Sequence, residues 1–288
     1  MGELERVVLF HDISEAQGGA SYLVGVLMDE LARRGIATTF FAGDEGSGFD
    51  RPGIEFVSVG GTHIARQSAV RSLASGLYNR RTLSRVRAWI AQNDTPGTVY
   101  HLHGWSKIFS PAIFEALAPV KARLVLHAHD YFNGCPNGAF FVYPQSRDCT
   151  LSPLSAGCLA TRCDKASHAH KLWRAGREAV RRRLDARAAP AARVLTLHPG
   201  MHPLLARGGI DPARLHAVRN PVTPFRRDRV RAEDNRGAIF VGRISREKGA
   251  DLAARAAAEA GVPITFIGEG ADEAAVRALN PAARFAGW

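Results

Sequence analysis

The chain has 288 residues, 46% hydrophobic and 23% charged, with 28 glycines and 15 prolines. That composition excludes a collagen-like rod, a disordered tail and a disulfide-stapled miniprotein, and the absence of any eighteen-residue apolar run excludes a membrane-spanning helix. A net charge of +11, from 38 basic and 27 acidic side chains, favours anionic partners such as phosphates, nucleic acid or an acidic membrane surface.

From the first residues onward, apolar runs alternate with helical periodicity, the pattern of βαβ units on a parallel sheet. The opening MGELERVVLFHD sets two acids before a short apolar run, the wrong order for a secretory signal, which predicts a cytoplasmic protein. A strand over 6–12 leads into a loop closing on Gly18-Gly19, and a helix over 20–34 follows, with Leu23, Leu27 and Leu31 on one stripe. Strands are expected at 36–42 and 54–59, one helical stretch at 66–92, a strand at 98–103, a helix at 111–117 and a strand at 123–129. Residues 130–165 interrupt the pattern with a loop-rich insert dense in Gly, Pro, Asn, Cys and aromatic residues, and loops of this length are usually functional. A basic helix over 168–187 precedes strands at 194–198 and 215–218. Asn220-Pro221 and the polar sequence after it mark a domain boundary, giving domains 1–219 and 220–288. A second α/β unit then begins, with strands at 238–241 and 264–267 and helices at 249–260 and 272–279.

Ligands of open α/β sheets bind beyond the carboxyl ends of the strands. His11, His103, His129 and His198 each close a predicted strand, and four histidines at equivalent positions predict one shared crevice. Gly18 and Gly19 stand before the first helix, where free N–H groups and the helix dipole favour an anion. In Gly242-Arg243-Ile244-Ser245-Arg246-Glu247-Lys248-Gly249 a strand gives way to a helix across a turn bearing Arg243 and Lys248, a pairing suited to a diphosphate. A second glycine turn, Gly268-Glu269-Gly270, ends the next strand and offers close backbone approach to a base or ribose.

Taken together, the Gly-Gly before the first helix, the strand ending in His-Asp, Asn-Pro-Val at 220–222, GRISREKG at 242–249 and IGEG at 267–270 resemble glycosyltransferase family 4. The insert HDYFNGCPNGAFF with its later cysteines is similar to that of a bacterial subgroup that builds exopolysaccharide or other surface glycans. The resemblance implies a GT-B fold, two Rossmann-like lobes with the second truncated, and retaining transfer from a nucleotide-diphosphate sugar, of UDP or GDP type, to a glycan or lipid-linked acceptor. It implies that Gly18 and Gly19 face the donor diphosphate and acceptor, that His129 contacts the donor sugar near the reacting carbon, and that Arg243 and Lys248 neutralise the diphosphate. His103, Asp130, Gly268, Glu269 and Gly270 complete the expected substrate-binding set, and His127 falls two residues too early to take the role of His129. No cofactor is expected for catalysis. The Glu-x7-Glu pair of the family's second lobe has no counterpart here, and from this weak donor binding and little turnover are expected. A non-catalytic partner or regulatory remnant is the alternative reading. A nucleic-acid-binding protein ranks last, for want of a recognisable motif.

Cys135, Cys149, Cys158 and Cys163 are the chain's four cysteines and all fall within the insert. Four thiolates suffice for a structural zinc ion, although the Cys-x2-Cys knuckle of common zinc modules is missing. Buried reduced thiols are the equal alternative, with disulfides behind both. The stretch 162–193 holds ten basic residues against three acids. Its helix spaces Leu172, Gly176, Val180 and Leu184 four apart, with Trp173 beside them. Either it packs on the sheet with a solvated outer face, or that face attaches the protein peripherally to anionic lipid on the inner side of the cell membrane.

Overall fold

The computed structural model describes residues 3–15, 18–46, 48–49, 51–187 and 193–288, the side chain of residue 187 excepted. Residues 16 and 17 of the loop before Gly18, and the side chain of Arg187, thus lie outside the described residues. The chain divides into two compact units, Met1–Pro221 and Val222–Trp288.

The first unit runs β1 (Arg6–His11), α1 (Gly19–Arg33), β2 (Ala37–Ala42), β3 (Ile54–Ser58), α2 (Ala69–Leu77), α3 (Arg80–Asn93), β4 (Thr98–Leu102), α4 (Ala112–Ala116), β5 (Leu124–Ala128), β6 (Phe141–Val142), β7 (Arg147–Asp148), α5 (Ala156–Ala160), α6 (His168–Arg187), β8 (Arg193–Thr196), α7 (His202–Arg207) and β9 (Leu215–Ala217). Seven strands form one sheet in the order β3-β2-β1-β4-β5-β8-β9, parallel throughout. Alternation along β1 sends Val7 and Leu9 to one face, against Val24, Met28 and Leu31 of α1. Val8 and Phe10 go to the other face, against Trp89 and Ile90 of α3 and Tyr100 and Leu102 of β4. Burial on both faces explains why β1 reads as an almost unbroken apolar run.

The single helix expected over 66–92 is two helices. Tyr78 is extended, at φ −155°, and the side chain of Asn79 accepts hydrogen bonds from the N–H groups of Arg81 (3.1 Å) and Thr82 (3.3 Å), capping α3. Gly76 lets the Trp173 indole of α6 pack on α2: a Cβ there would lie 2.5 Å from the ring.

Within the insert, β6 and β7 form a short antiparallel ladder and α5 is a single turn capped by Ser155. Helix α6 holds this segment down. Arg181 donates to the Asn133 carbonyl at 2.8 Å, Arg182 to the Gly134 carbonyl at 3.2 Å, and Lys171 to the Cys158 carbonyl. The helix therefore departs from the expected stripe. Leu184 is buried and Val180 packs on the core, but Leu172 and Gly176 are exposed. Lys171, Arg177, Glu178 and Arg181 lie inside instead. Three cations of the basic helix, Lys171, Arg177 and Arg181, have thus turned inward to carbonyls, a carboxylate and aromatic rings, while Arg183 stays exposed.

The second unit runs β10 (Ala238–Val241), α8 (Ala250–Ala260), β11 (Ile264–Ile267), α9 (Glu273–Leu279) and β12 (Arg284–Phe285). Its three strands are parallel in the order β10-β11-β12. Ile244, Ala254, Ile264, Phe266 and Val276 form its core. Among the described residues, no helix is long and apolar enough to cross a membrane.

Candidate functional site

The carboxyl edge of the large sheet gathers the first unit's polar groups. Asp12 follows β1 and is buried. Its carboxylate accepts three backbone N–H bonds, from Lys107 (2.7 Å), Ile108 (2.8 Å) and Phe109 (2.9 Å). One aspartate thus ties the loop after β4 to the end of β1 and satisfies three donors that would otherwise be orphaned. Glycines make room at this edge. A Cβ on Gly43 would meet the Asp12 carbonyl at 2.5 Å, and one on Gly104 would meet Nδ1 of His11 at 2.6 Å.

Alternation along β4 and β5 places His101, His103, His127 and His129 on one face of the sheet. The pair Leu102–Leu126 is in register, so continuing the strands by one residue sets His103 beside His127. The rings of His103 and His129 stack with centroids 5.3 Å apart, those of His101 and His127 at 5.5 Å, and those of His127 and His129 at 4.2 Å. Nδ1 of His103 and Nε2 of His129 are 3.0 Å apart, at hydrogen-bonding distance. Burial disfavours the imidazolium throughout: His101 and His129 are pushed down to about 3, His127 and His11 to about 4, and His103 well below its ordinary value. All five are neutral at physiological pH, each able to donate from one nitrogen and accept at the other. The buried nitrogens without a partner are Nδ1 of His11, Nε2 of His103, Nδ1 of His129, Nε2 of His101 and both of His127.

Of the four strand-end histidines expected to converge, His103 and His129 meet. His11 shares their electrostatic surroundings while its Nε2 pairs with the Ser21 hydroxyl at 3.1 Å. His198 does not join them: its Nδ1 accepts the Gly200 N–H at 2.9 Å, capping a turn. His127, set aside on sequence position, and His101, never singled out, belong to the cluster. Among the described residues, the one group of histidine, cysteine or carboxylate ligands close enough together to hold a metal ion is His101, His103 and His127, with nitrogens within 4.8 Å of one another. Ligands of a tetrahedral ion with bonds of about 2.1 Å stand only about 3.4 Å apart, so these rings would have to turn inward.

Gly18 precedes α1 at φ +95° and ψ 176°, and Gly19 opens the helix. Nothing lies within 4 Å of a Cβ built on either. At Gly18 it is conformation that asks for glycine, and Gly18 gives α1 no side-chain cap. Asp130 follows His129, and its Oδ1 accepts the Phe132 N–H at 2.9 Å. Its carboxyl is shielded although the residue as a whole is exposed, and desolvation raises it above the ordinary carboxylate range.

In the second unit the two glycine turns interlock. The Gly242 N–H donates to the Ile267 carbonyl at 2.9 Å and the Ile244 N–H to the Glu269 carbonyl at 3.0 Å. A Cβ on Gly268 would overlap the Gly242 carbonyl, and one on Gly270 the Ile244 carbonyl. Packing of turn on turn therefore accounts for both glycines before any base or ribose is invoked. Arg243 is exposed and pairs with Glu247 at 2.5 Å, and Lys248 is exposed beside it. Below them the Ser245 hydroxyl is buried without a partner.

The four cysteines are unpaired. Cys135, whose Sγ is 3.1 Å from Asn137 Oδ1, and Cys163 are raised by burial, Cys163 to about 11, and Cys163 feels the charge of each of the other three. The thiols thus neighbour one another without closing to the roughly 3.8 Å that zinc–sulfur bonds of about 2.3 Å would impose.

Several solved structures share this fold. The lipopolysaccharide outer core galactosyltransferase WaaB in its apo form is 12% identical with a TM-score of 0.53, over 99% of this chain and 68% of that one. Anabaena Alr3699/HepE in complex with UDP is 13% identical with a TM-score of 0.52, over 98% and 69%. WaaG, a glycosyltransferase involved in lipopolysaccharide biosynthesis, is 11% identical with a TM-score of 0.51, over 98% and 70%. No curated protein matches by sequence. The Glycosyl transferase 4-like domain family matches residues 18–221, from the glycine that precedes α1 to the end of the first unit. The chain belongs to that family and is a glycosyltransferase of α/β fold.

Proposed function

We propose that the protein transfers a sugar, with retention of configuration, from a nucleotide-diphosphate sugar to a glycan or lipid-linked acceptor. The observation that carries this reading is the neutral, hydrogen-bonded His103–His129 pair at the carboxyl edge of the sheet. A neutral imidazole hydrogen-bonds a sugar hydroxyl without adding positive charge where an oxocarbenium-like centre develops. His129 does this, and its bond to His103 fixes the ring. The dipole at the N-terminus of α1, behind Gly18 and Gly19, is proposed to favour the leaving phosphate, whose negative charge grows as the glycosidic bond breaks. Asp12 holds the 107–109 loop in place. Arg243, Lys248 and the buried Ser245 hydroxyl are proposed to bind the donor's diphosphate, with Glu247 exchanged for phosphate as the partner of Arg243. UDP is the nucleotide suggested by the HepE complex of similar fold. A zinc ion bracing the insert is proposed only if the four thiols draw together, since among the described residues they form no ligand group as they stand. Metal analysis of untagged protein supports this at one zinc per chain and refutes it at none.

The test is titration with UDP and GDP, followed by donor consumption in wild type and His129→Asn. The expected result is weak but saturable binding of one nucleotide and, from the slow donor consumption expected of this chain, a further loss of about a hundredfold or more in the variant, with nucleotide affinity kept. Binding of neither nucleotide, or a variant as active as wild type, would sink the reading.

A further inference from the structure

A cavity of about 500 Å³ opens in the first unit between the segment leading into α2 and helix α6, within the 300–1,000 Å³ range of small-molecule sites. Ile64, Leu73, Phe132 and Trp173 supply its apolar wall, and Lys107, Arg174 and Arg177 its cations. Arg177 is the unusual member. Only 4% of it is exposed, and its guanidinium lies 5.1 Å from the Trp105 ring, 5.7 Å from Phe132 and 5.4 Å from Trp173. Its hydrogen-bond partner is the Ser106 carbonyl at 2.8 Å. No carboxylate among the described residues pairs with it, whereas Arg174 pairs with Asp164 at 3.1 Å and Arg181 with Glu178 at 2.8 Å. Desolvation pushes Arg177 down to about 10, which leaves it charged at neutral pH.

Asp12, Glu178 and Asp130 lend Arg177 negative charge without closing to a salt bridge, and a buried cation that lacks a directly bonded anion favours one able to reach it. Lys107 adds a second, exposed cation to the same lining, without a salt bridge among the described residues. The rest of the wall is mostly apolar, with His63, Ser72, Ser106 and His170 among its polar members. Leu73, which lines it, is 50% exposed, so the apolar wall reaches the surface. An anionic head at Arg177 and Lys107 with a hydrocarbon chain running past Leu73 satisfies both halves. The loop carrying Ser106 and Lys107 is the one fastened by Asp12, so the head would lie close to the carboxyl edge that holds His129.

We infer that this cavity binds a lipid phosphate: an apolar chain ending in a phosphate or diphosphate, the anchor of a lipid-linked acceptor. The inference rests on the proposed transferase reading for the role of the ligand and on the cavity alone for its binding.

Geranyl diphosphate is a soluble probe, and calorimetry with it, with inorganic diphosphate and with geraniol separates chain from head. Geranyl diphosphate is expected to bind at least about tenfold more tightly than either part. Lys107→Gln, on an exposed side chain, should weaken both diphosphates about tenfold. Leu73→Gln, half-exposed and safe for folding, should weaken geranyl diphosphate several-fold and leave inorganic diphosphate unchanged. Equal affinity for geraniol, indifference to Leu73→Gln, or displacement of the probe by UDP overturns the inference. Separate titration with UDP keeps the two readings apart: UDP binding without geranyl diphosphate binding removes the lipid site only, and the converse removes the donor reading only.

Discussion

Two basic stretches of this chain, helix α6 and the turn at residues 242–249, look alike in the sequence and behave oppositely in the structure. In α6 Arg181 and Lys171 are buried, matched to a carboxylate and carbonyls, and they fasten the insert to the helix. In the turn, Arg243 is 60% exposed and touches only Glu247, four residues on. Whether a cation is structural or free for a ligand is decided by partners far away in the chain, which a count of charges does not contain. Arg177 belongs to neither group, being buried like the first set but without a salt bridge among the described residues, and so it attracts a functional explanation.

Breaking the pairing in α6 should have the largest effect. Glu178 receives Arg181 at 2.8 Å and Arg182 at 2.8 Å, and is 2% exposed. Glu178→Gln leaves a buried guanidinium short of its counter-charge and is expected to destabilise the first unit by about 3–5 kcal/mol in urea unfolding. A loss under about 1 kcal/mol would show the helix to be more solvated than described. Next in size is Gly268→Ala. At φ +137°, with the Gly242 carbonyl where a Cβ would go, alanine should cost about 2 kcal/mol or more and loosen the second unit alone. Hydrogen exchange localised to β10 and β11 would register it, and unchanged protection would contradict the interlocked turns.

The parallel sheet and nearly every strand were legible because a sheet buried on both faces writes its strands as apolar runs. The strand-end histidines were half legible. Both TVYHLH and LVLHAH place histidines at i and i+2, which already puts all four on one face once the strands are paired. Reading only the last residue of each strand missed His101 and His127 and admitted His198, whose ring is used to cap a turn. The break at Tyr78–Asn79 was available from the asparagine cap, yet helical periodicity on both sides hid it. The inward turn of α6 was not legible, since Asn133, Gly134 and Cys158 meet it only after folding. Gly268 and Gly270 read as openings for a ligand because a turn packed against another turn leaves the same glycine signal.

The histidine cluster gives a smaller effect that depends on pH. His11, His101, His127 and His129 have lowered values in the folded protein, so below about pH 6.5 the unfolded chain binds protons that the folded one refuses. Their contribution is complete above that pH and drains away as pH falls towards about 4 for His127. Urea midpoints should drop steadily between pH 6.5 and 5, before ordinary carboxylates titrate. His127→Gln should flatten that slope by up to about 1.4 kcal/mol per pH unit. A slope identical to wild type would mean the ring is solvated.

The smallest expected effect on stability falls at Arg243, and there the comparison of the two stretches is sharpest. An exposed pair four residues apart contributes only about 0.3–0.5 kcal/mol, so Arg243→Gln should leave the unfolding midpoint almost unmoved. If the guanidinium exchanges Glu247 for a donor diphosphate, the same substitution should weaken UDP binding about tenfold, the loss expected for one charge-assisted contact. The reciprocal change, Glu247→Gln, frees Arg243 from its competitor and should tighten UDP slightly. A chain in which both variants bind UDP like wild type has a turn that is solvated surface and nothing more, and the diphosphate would then have to be held by other groups.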